Sequence, residues 1–225
     1  MASVSGFQIL RFAQLWLVHE LSESPLALGY VGMANAVPAI GLNLFGGVLA
    51  DKFDKRKLIM TAQTIASMLV FVLATLTLVG VVEAWHIIAI AFLAGVVEAF
   101  YGPAHESLYP HLVERKALVS AVALDSSLWQ GNRIIAPAIA GVIIATAGTA
   151  AAFFVAGIGF ITMAIVLSTL KVPPIPRAQG TSAARDLLDG FQFLKNNSIV
   201  AFLIGMTFFN SFFGLAYIML LPIFT

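Results

Sequence analysis

The sequence predicts an all-helical protein that crosses a membrane several times, and three observations predict it. Apolar residues make up 60% of the 225 positions and charged residues only 10%, with a mean hydropathy of +0.97. A soluble domain carries about 45–50% apolar and about 25% charged residues. The apolar residues fall in continuous runs of about 20 positions, the length of helix that spans a bilayer, without the alternation of a membrane strand. The lysines and arginines between the runs fall in every second connection. A water-soluble enzyme and a disordered chain are thereby excluded. Twelve Lys and Arg against eleven Asp and Glu leave +1, which is not the basic surface that nucleic acid demands. With no cysteine, a disulfide framework and thiolate metal sites are excluded as well.

Seven apolar runs can be read in order. Gly6–Leu21 is short for a span and holds Arg11. Leu26–Ala50 and Leu58–Val82 carry no charge, and Ala84–Ala104 carries Glu98 alone. Leu118–Ala147 holds Asp125 and Arg133, while Thr149–Leu170 and Ile199–Phe224 hold no charge. The connections fix orientation. Loop 50–57 has four basic residues, loop 109–117 has Arg115 and Lys116, and loop 171–198 has Lys171, Arg177, Arg185 and Lys195. The opposite connections hold His19, Glu20, Glu23, Glu83 and His86 and no Lys or Arg. Because cytoplasmic loops carry the excess of Lys and Arg, loops 50–57, 109–117 and 171–198 are expected in the cytoplasm of a cell whose plasma (inner) membrane holds the chain. No charged start, short apolar region and cleavage site marks a removable signal peptide.

Three segments are expected. Residues 1–171 form a six-helix bundle, 172–198 a linker, and 199–225 the first helix of a second bundle. The linker opens with a Pro-rich stretch and then places Leu187, Leu188, Phe191 and Leu194 at helical spacing, which predicts an amphipathic helix on the cytoplasmic face.

Two motifs carry a resemblance to a known family. Gly47, then Asp51 four residues later, then Lys52, Lys55, Arg56 and Lys57 resembles the cytoplasmic loop 2–3 signature of the major facilitator superfamily. Asn132 and Arg133 followed by Ala136-Pro137 and Ala140-Gly141 is similar to that superfamily's exporter motif. The stretches Trp16–Gly29, Gly102–Pro110 and Leu124–Ser127 look like its multidrug and siderophore exporter branch. Asp54 stands where the loop signature has a glycine, Ala136 and Ala140 stand for two exporter-motif glycines, and the fourth span holds Glu98 in place of a buried Arg. The resemblance implies a major facilitator-type helical bundle of twelve spans, of which these seven would be the first half plus one helix, with the first helix cut short. It also implies a gate at Gly47, Asp51, Lys55 and Arg56 that holds two halves together, and a bend and tight packing at Asn132, Arg133, Pro137 and Gly141. Proline bends its helix because it lacks the donor N–H, and small residues let helices approach closely.

Charges inside spans are costly and point to function. At about 1.5 Å per residue, Glu98 lies roughly 21 Å and Arg11 roughly 15 Å from the outer ends of their spans. A long Arg side chain can close that gap, and the resemblance implies that the first and fourth helices line a central cavity. An Arg11–Glu98 contact is therefore expected, in preference to Glu98–Arg133. By the same rise Asp125 lies roughly 10 Å from the inner end of its span, close to the depth of Glu98, and two carboxylates in low dielectric raise one another's pKa, as proton exchange requires. Asp125, Trp129 and Asn132 fall on one helical face at offsets of four and seven, a candidate cavity lining. The four histidines are scattered, with no His-Glu-x-x-His zinc pattern, and Gly157 and Gly159 sit inside a span rather than at a strand-to-helix turn. No phosphate-binding loop for ATP is present, so no cofactor is expected and an intramembrane enzyme has no nucleophile with a His at matching depth.

The expected function is thus efflux of a small molecule by alternating access, driven by an ion gradient, with protons as the coupling ion. Its partners would be the lipid bilayer, the small-molecule substrate, protons and a C-terminal half of the same transporter. The alternative is a non-transporting membrane scaffold or an inactive transporter fragment.

Overall fold

The computed structural model describes residues 2–22, 24–112, 116–169 and 192–220. Among these, every extended element is a helix: α1 (Ala2–Leu21), α2 (Pro25–Lys52), α3 (Lys55–Val79), α4 (Ala84–Leu112), α5 (Leu118–Ala147), α6 (Thr149–Thr169) and α7 (Ser198–Leu220). The chain divides into two compact units, Met1–Ala178 and Gln179–Thr225. The second contains α7 and a helical stretch at 192–196, which is the only described part of the amphipathic segment expected in the linker; the rest of that segment lies outside the described residues.

Five helices are long and apolar enough to cross a membrane: Pro25–Asn43, Lys55–Val79, Ala84–Leu108, Leu118–Ala147 and Thr149–Thr169. The other two of the seven expected spans differ from these. In α7 the apolar stretch among the described residues is the shorter Ser198–Thr207. α1 has 20 residues, enough for about 30 Å, but Gln8, Arg11 and Gln14 lower its apolarity. It is solvated by protein instead: Phe7, Leu10, Ala13, Leu17 and Val18 are all buried in the bundle core.

In the first unit α1 packs mainly on α6 and α5, α4 mainly on α2 and α3, and α3 packs on α6. Exchanging α1 with α4, α2 with α5 and α3 with α6 maps these neighbours onto themselves, so the six helices form two interleaved triplets. α2 and α4 approach closest, and glycine is the reason. A Cβ on Gly46 would overlap the carbonyl oxygen of Ala99, and one on Gly95 would come 2.5 Å from the carbonyl oxygen of Asn35. The two backbones therefore touch at two levels, which larger residues would prevent.

The turn between α2 and α3 is shorter than the loop read from sequence. Helix continues through Lys52 and resumes at Lys55, leaving Phe53 and Asp54. Asp54, which breaks the motif pattern, caps α3: its Oδ1 accepts hydrogen bonds from the backbone N–H groups of Arg56 (3.0 Å) and Lys57 (3.3 Å). A capping carboxylate satisfies donors that have no partner within the helix and complements its positive end.

Candidate functional site

Glu98 is the central residue of α4, fourteen positions from either end, and Arg11 lies at the middle of α1. Their side chains meet: Arg11 Nη2 donates to Glu98 Oε2 at 2.6 Å. A charge-assisted bond of this length joins the midpoints of the two helices, and charges within apolar helices are costly unless paired. Both remain partly open, Arg11 44% and Glu98 23% exposed, so the pair borders a space rather than filling the core.

α4 continues eight residues beyond the expected Ala104. With the helix so extended, Glu98 is central while Asp125 stands seven residues into α5 from its basic-side end. Asp125 is an electrostatic neighbour of Tyr101 and His105, and Glu98 of Tyr101. Asp125 and Glu98 thus both act on Tyr101. Glu98, Tyr101 and His105 recur at offsets of three and seven, one face of α4, and the Tyr101 and His105 rings are 5.3 Å apart. The sequence reading missed Tyr101 and His105; the polar spacing with Glu98 was the signal available.

A second polar group lies behind this face. Gln63 Nε2 donates to Ser3 Oγ, and Ser3 Oγ contacts the Tyr101 hydroxyl at 3.5 Å. Ser3, Gln63 and Tyr101 are all buried, on α1, α3 and α4 respectively. Gln14 is fully buried, and neither amide atom has a hydrogen-bond partner among the described residues.

The exporter-like segment of α5 is arranged differently from the expected small face. Asn132, Ala136 and Ala140 form its buried stripe. Asn132 Oδ1 accepts from Ser5 Oγ at 2.6 Å, and its Nδ2 donates to the Leu128 carbonyl at 2.9 Å. This amide ties α5 to α1; Trp129 is half-buried. Pro137 is inside the helix. A Cβ at Gly131 or Gly141 would meet nothing within 4 Å, and the same holds for Gly47. Of the adjacent pair Gly46 and Gly47, the close approach is made by Gly46. Arg133 is exposed, with its Nη1 3.4 Å from Gln130 Oε1, well apart from Glu98.

The basic motif residues serve neighbouring helix ends. Arg56 donates from Nε to the Leu167 carbonyl (2.7 Å) and from Nη2 to the Ser168 carbonyl (2.6 Å), at the C-terminus of α6. Lys55 Nζ reaches the Ser107 carbonyl of α4 at 3.4 Å. At the end of α6 the Arg56 cation satisfies carbonyls left without partners and meets the negative end of the dipole. The side chain of Asp51 and the residue Arg115 lie outside the described residues.

A bundle with five helices long and apolar enough to cross a membrane is that of an integral, multi-pass membrane protein. The match to the transmembrane secretion effector family covers residues 1–225, and the chain belongs to that family of major facilitator transporters. It is 28% identical over 217 residues to the staphyloferrin A transporter of Staphylococcus aureus, covering 93% of this chain and 53% of that protein. It is 32% identical over 166 residues to the enterobactin exporter of Shigella boydii, covering 72% and 38%. It is 22% identical over 192 residues to macrolide efflux protein A of Streptococcus pyogenes, covering 84% and 47%. The chain spans about half the length of the curated relatives it matches. No solved structure matches it.

Proposed function

We propose that the chain forms the first bundle of an efflux transporter that moves a small molecule out of the cell by alternating access, exchanging it for protons at Glu98. The observation that carries this reading is the Arg11–Glu98 pair at the midpoints of α1 and α4. Protonating Glu98 removes the charge that Arg11 neutralises, and an unpaired Arg in low dielectric is strongly unfavourable. The bundle can relieve it by moving, or by Arg11 taking a new anionic partner such as a cargo carboxylate. Proton binding is thereby linked to a change of state. Asp125, seven residues into α5, supplies a second acid through which a proton can pass to the cytoplasm. Trp129, half-buried on α5, is a candidate aromatic surface for a cargo ring.

A relative that exports enterobactin and one that is a macrolide efflux protein support outward movement of a small molecule. Alternating access needs two bundles rocking about a midplane site, and the additional length of the relatives is expected to supply the second. The gate at Gly47, Asp51, Lys55 and Arg56 would then act between them. The test uses everted vesicles from cells expressing the full reading frame that contains this chain, challenged with a panel of siderophores and macrolides. Cargo-dependent proton release is expected, lost in Glu98→Gln. Efflux whose pH dependence is the same in Glu98→Gln as in the parent would remove the proton role.

A further inference from the structure

On the side of α4 away from Glu98, α2 and α3 both pack on α4 and hardly touch one another. They leave a groove of about 340 Å³, lined by Leu49 of α2, Leu58, Ile65 and Leu69 of α3, and Leu93 and Phe100 of α4. The volume is within the range of ligand sites, about 300–1,000 Å³. Its lining is almost wholly apolar, and Ile65 and Leu93 are 44% and 45% exposed. Glu98 is two residues from Phe100, hence about 160° around the helix, so the groove faces away from the charged pair and toward lipid.

Length and charge identify the occupant. From Leu58 to Leu69 the groove runs about 16 Å along α3, close to half of a hydrocarbon layer about 30 Å thick. It therefore occupies one leaflet, the one on the basic side. At its mouth stands Lys57. Lys57, Thr61 and Ile65 recur every four residues and share a face of α3. Arg56 and Lys55 are held by the carbonyls of α6 and α4, and Asp54 by the backbone of α3. The exposed Lys57 ammonium has no partner among the described residues. Residues 51–57 carry four cations and two carboxylates, a net charge in sequence that favours an anion on this side. An apolar channel one leaflet deep, closed by an uncompensated cation, matches one chemistry.

We propose that this groove binds an anionic phospholipid of the basic-side leaflet, with one acyl chain lying between α2 and α3 and the phosphate paired with Lys57. A bound lipid would fill the gap that the two helices leave over α4 and complete their packing. The site is independent of the transport reading, since it needs only membrane insertion.

The chain has no cysteine, so one fluorophore can be placed without removing any. Bimane on Met68→Cys, an exposed position beside Leu69, reports on the groove. The same label on Val79→Cys, exposed at the far end of α3, reports on the other leaflet. The full chain is reconstituted in phosphatidylcholine vesicles containing a variable fraction of phosphatidylglycerol, with bromine on the acyl chains of one lipid or the other. At Met68, quenching is expected to show an association about five-fold stronger for phosphatidylglycerol, the effect of one cation near a phosphate, and no preference at Val79. Lys57→Gln should bring the ratio to about one. Thr61→Trp, which fills the groove and leaves Lys57 in place, should do the same. Equal association of the two lipids, or a preference that survives Lys57→Gln, overturns the proposal. So does a preference untouched by Thr61→Trp, which would mean surface charge without a groove. Absence of quenching by either lipid would mean that protein covers the groove, and it overturns the proposal equally.

Discussion

Arg11 and Glu98 are 87 positions apart in the chain, and each was visible in sequence as a charge interrupting an apolar run. The fixed rise of a helix brought them to comparable depth, but their contact needs α1 and α4 to be turned toward one another, which no spacing within either helix encodes. Glu98→Gln keeps the shape of the side chain and removes its charge, so Arg11 loses its ionic partner. Transport in the full-length protein is then expected to lose its dependence on pH between vesicles set at different external values. Gln14 is a contrasting case. A buried amide without partners costs about 1–3 kcal/mol, and nothing in the sequence distinguishes Gln14 from a polar residue facing a cavity. Gln14→Met, of similar length and without the polar atoms, is expected to stabilise the protein by about that amount, read as a higher melting temperature in detergent. An unchanged or lower melting temperature would show that the amide is satisfied in the folded protein.

Helix ends and helix crossings carry the next set of constraints. Asp54 was read from sequence as a departure from a motif; in the fold it is the cap of α3. Asp54→Ala is expected to cost about 1 kcal/mol, measured by chemical or thermal unfolding, while leaving the bundle intact. Gly46 and Gly47 are adjacent and indistinguishable by motif. Only Gly46 faces the α4 backbone. Gly46→Ala must push α2 away from α4, and overpacking of this kind costs about 1–3 kcal/mol. Gly47→Ala meets open space and should fold with unchanged stability. Equal stability of the two variants, assayed side by side, would contradict the close approach of α2 to α4. The exporter-like segment teaches the same lesson. Its buried stripe runs through Asn132, Ala136 and Ala140, with the two alanines at positions where the family pattern has glycine. Which of several small residues is the packed one depends on the rotation of α5 about its axis.

At the scale of the whole molecule, the exposed apolar faces of α2 and α5, with Met33, Val37 and Ile40 on one and Ile134, Ile135 and Ile139 on the other, need lipid or further helices. A preparation of these 225 residues alone is expected to insert in a bilayer and to build no cargo gradient in proteoliposomes, since one bundle cannot expose a site alternately to two sides. Accumulation of any exported molecule by that preparation would contradict two-bundle transport. Membrane-impermeant labelling of a cysteine introduced at Phe53, exposed in the α2–α3 turn, should succeed only from the cytoplasmic side, in keeping with the charge rule.

Composition and the order of apolar runs determined by themselves that the chain is helical and membrane-embedded. These properties follow from the cost of exposing backbone and charge to hydrocarbon, a cost incurred residue by residue. Charge distribution between the runs determined the expected orientation for the same reason. Only tertiary structure decided that α1 is solvated by other helices, that α4 reaches Leu112 and so centres Glu98, and that Asp125 attends Tyr101 and His105. It alone decided that Arg56 and Lys55 serve the ends of α6 and α4, and that α2 and α3 leave a groove over α4. Each of these depends on how helices are rotated and stacked against one another, and that is fixed by contacts between residues distant in the chain.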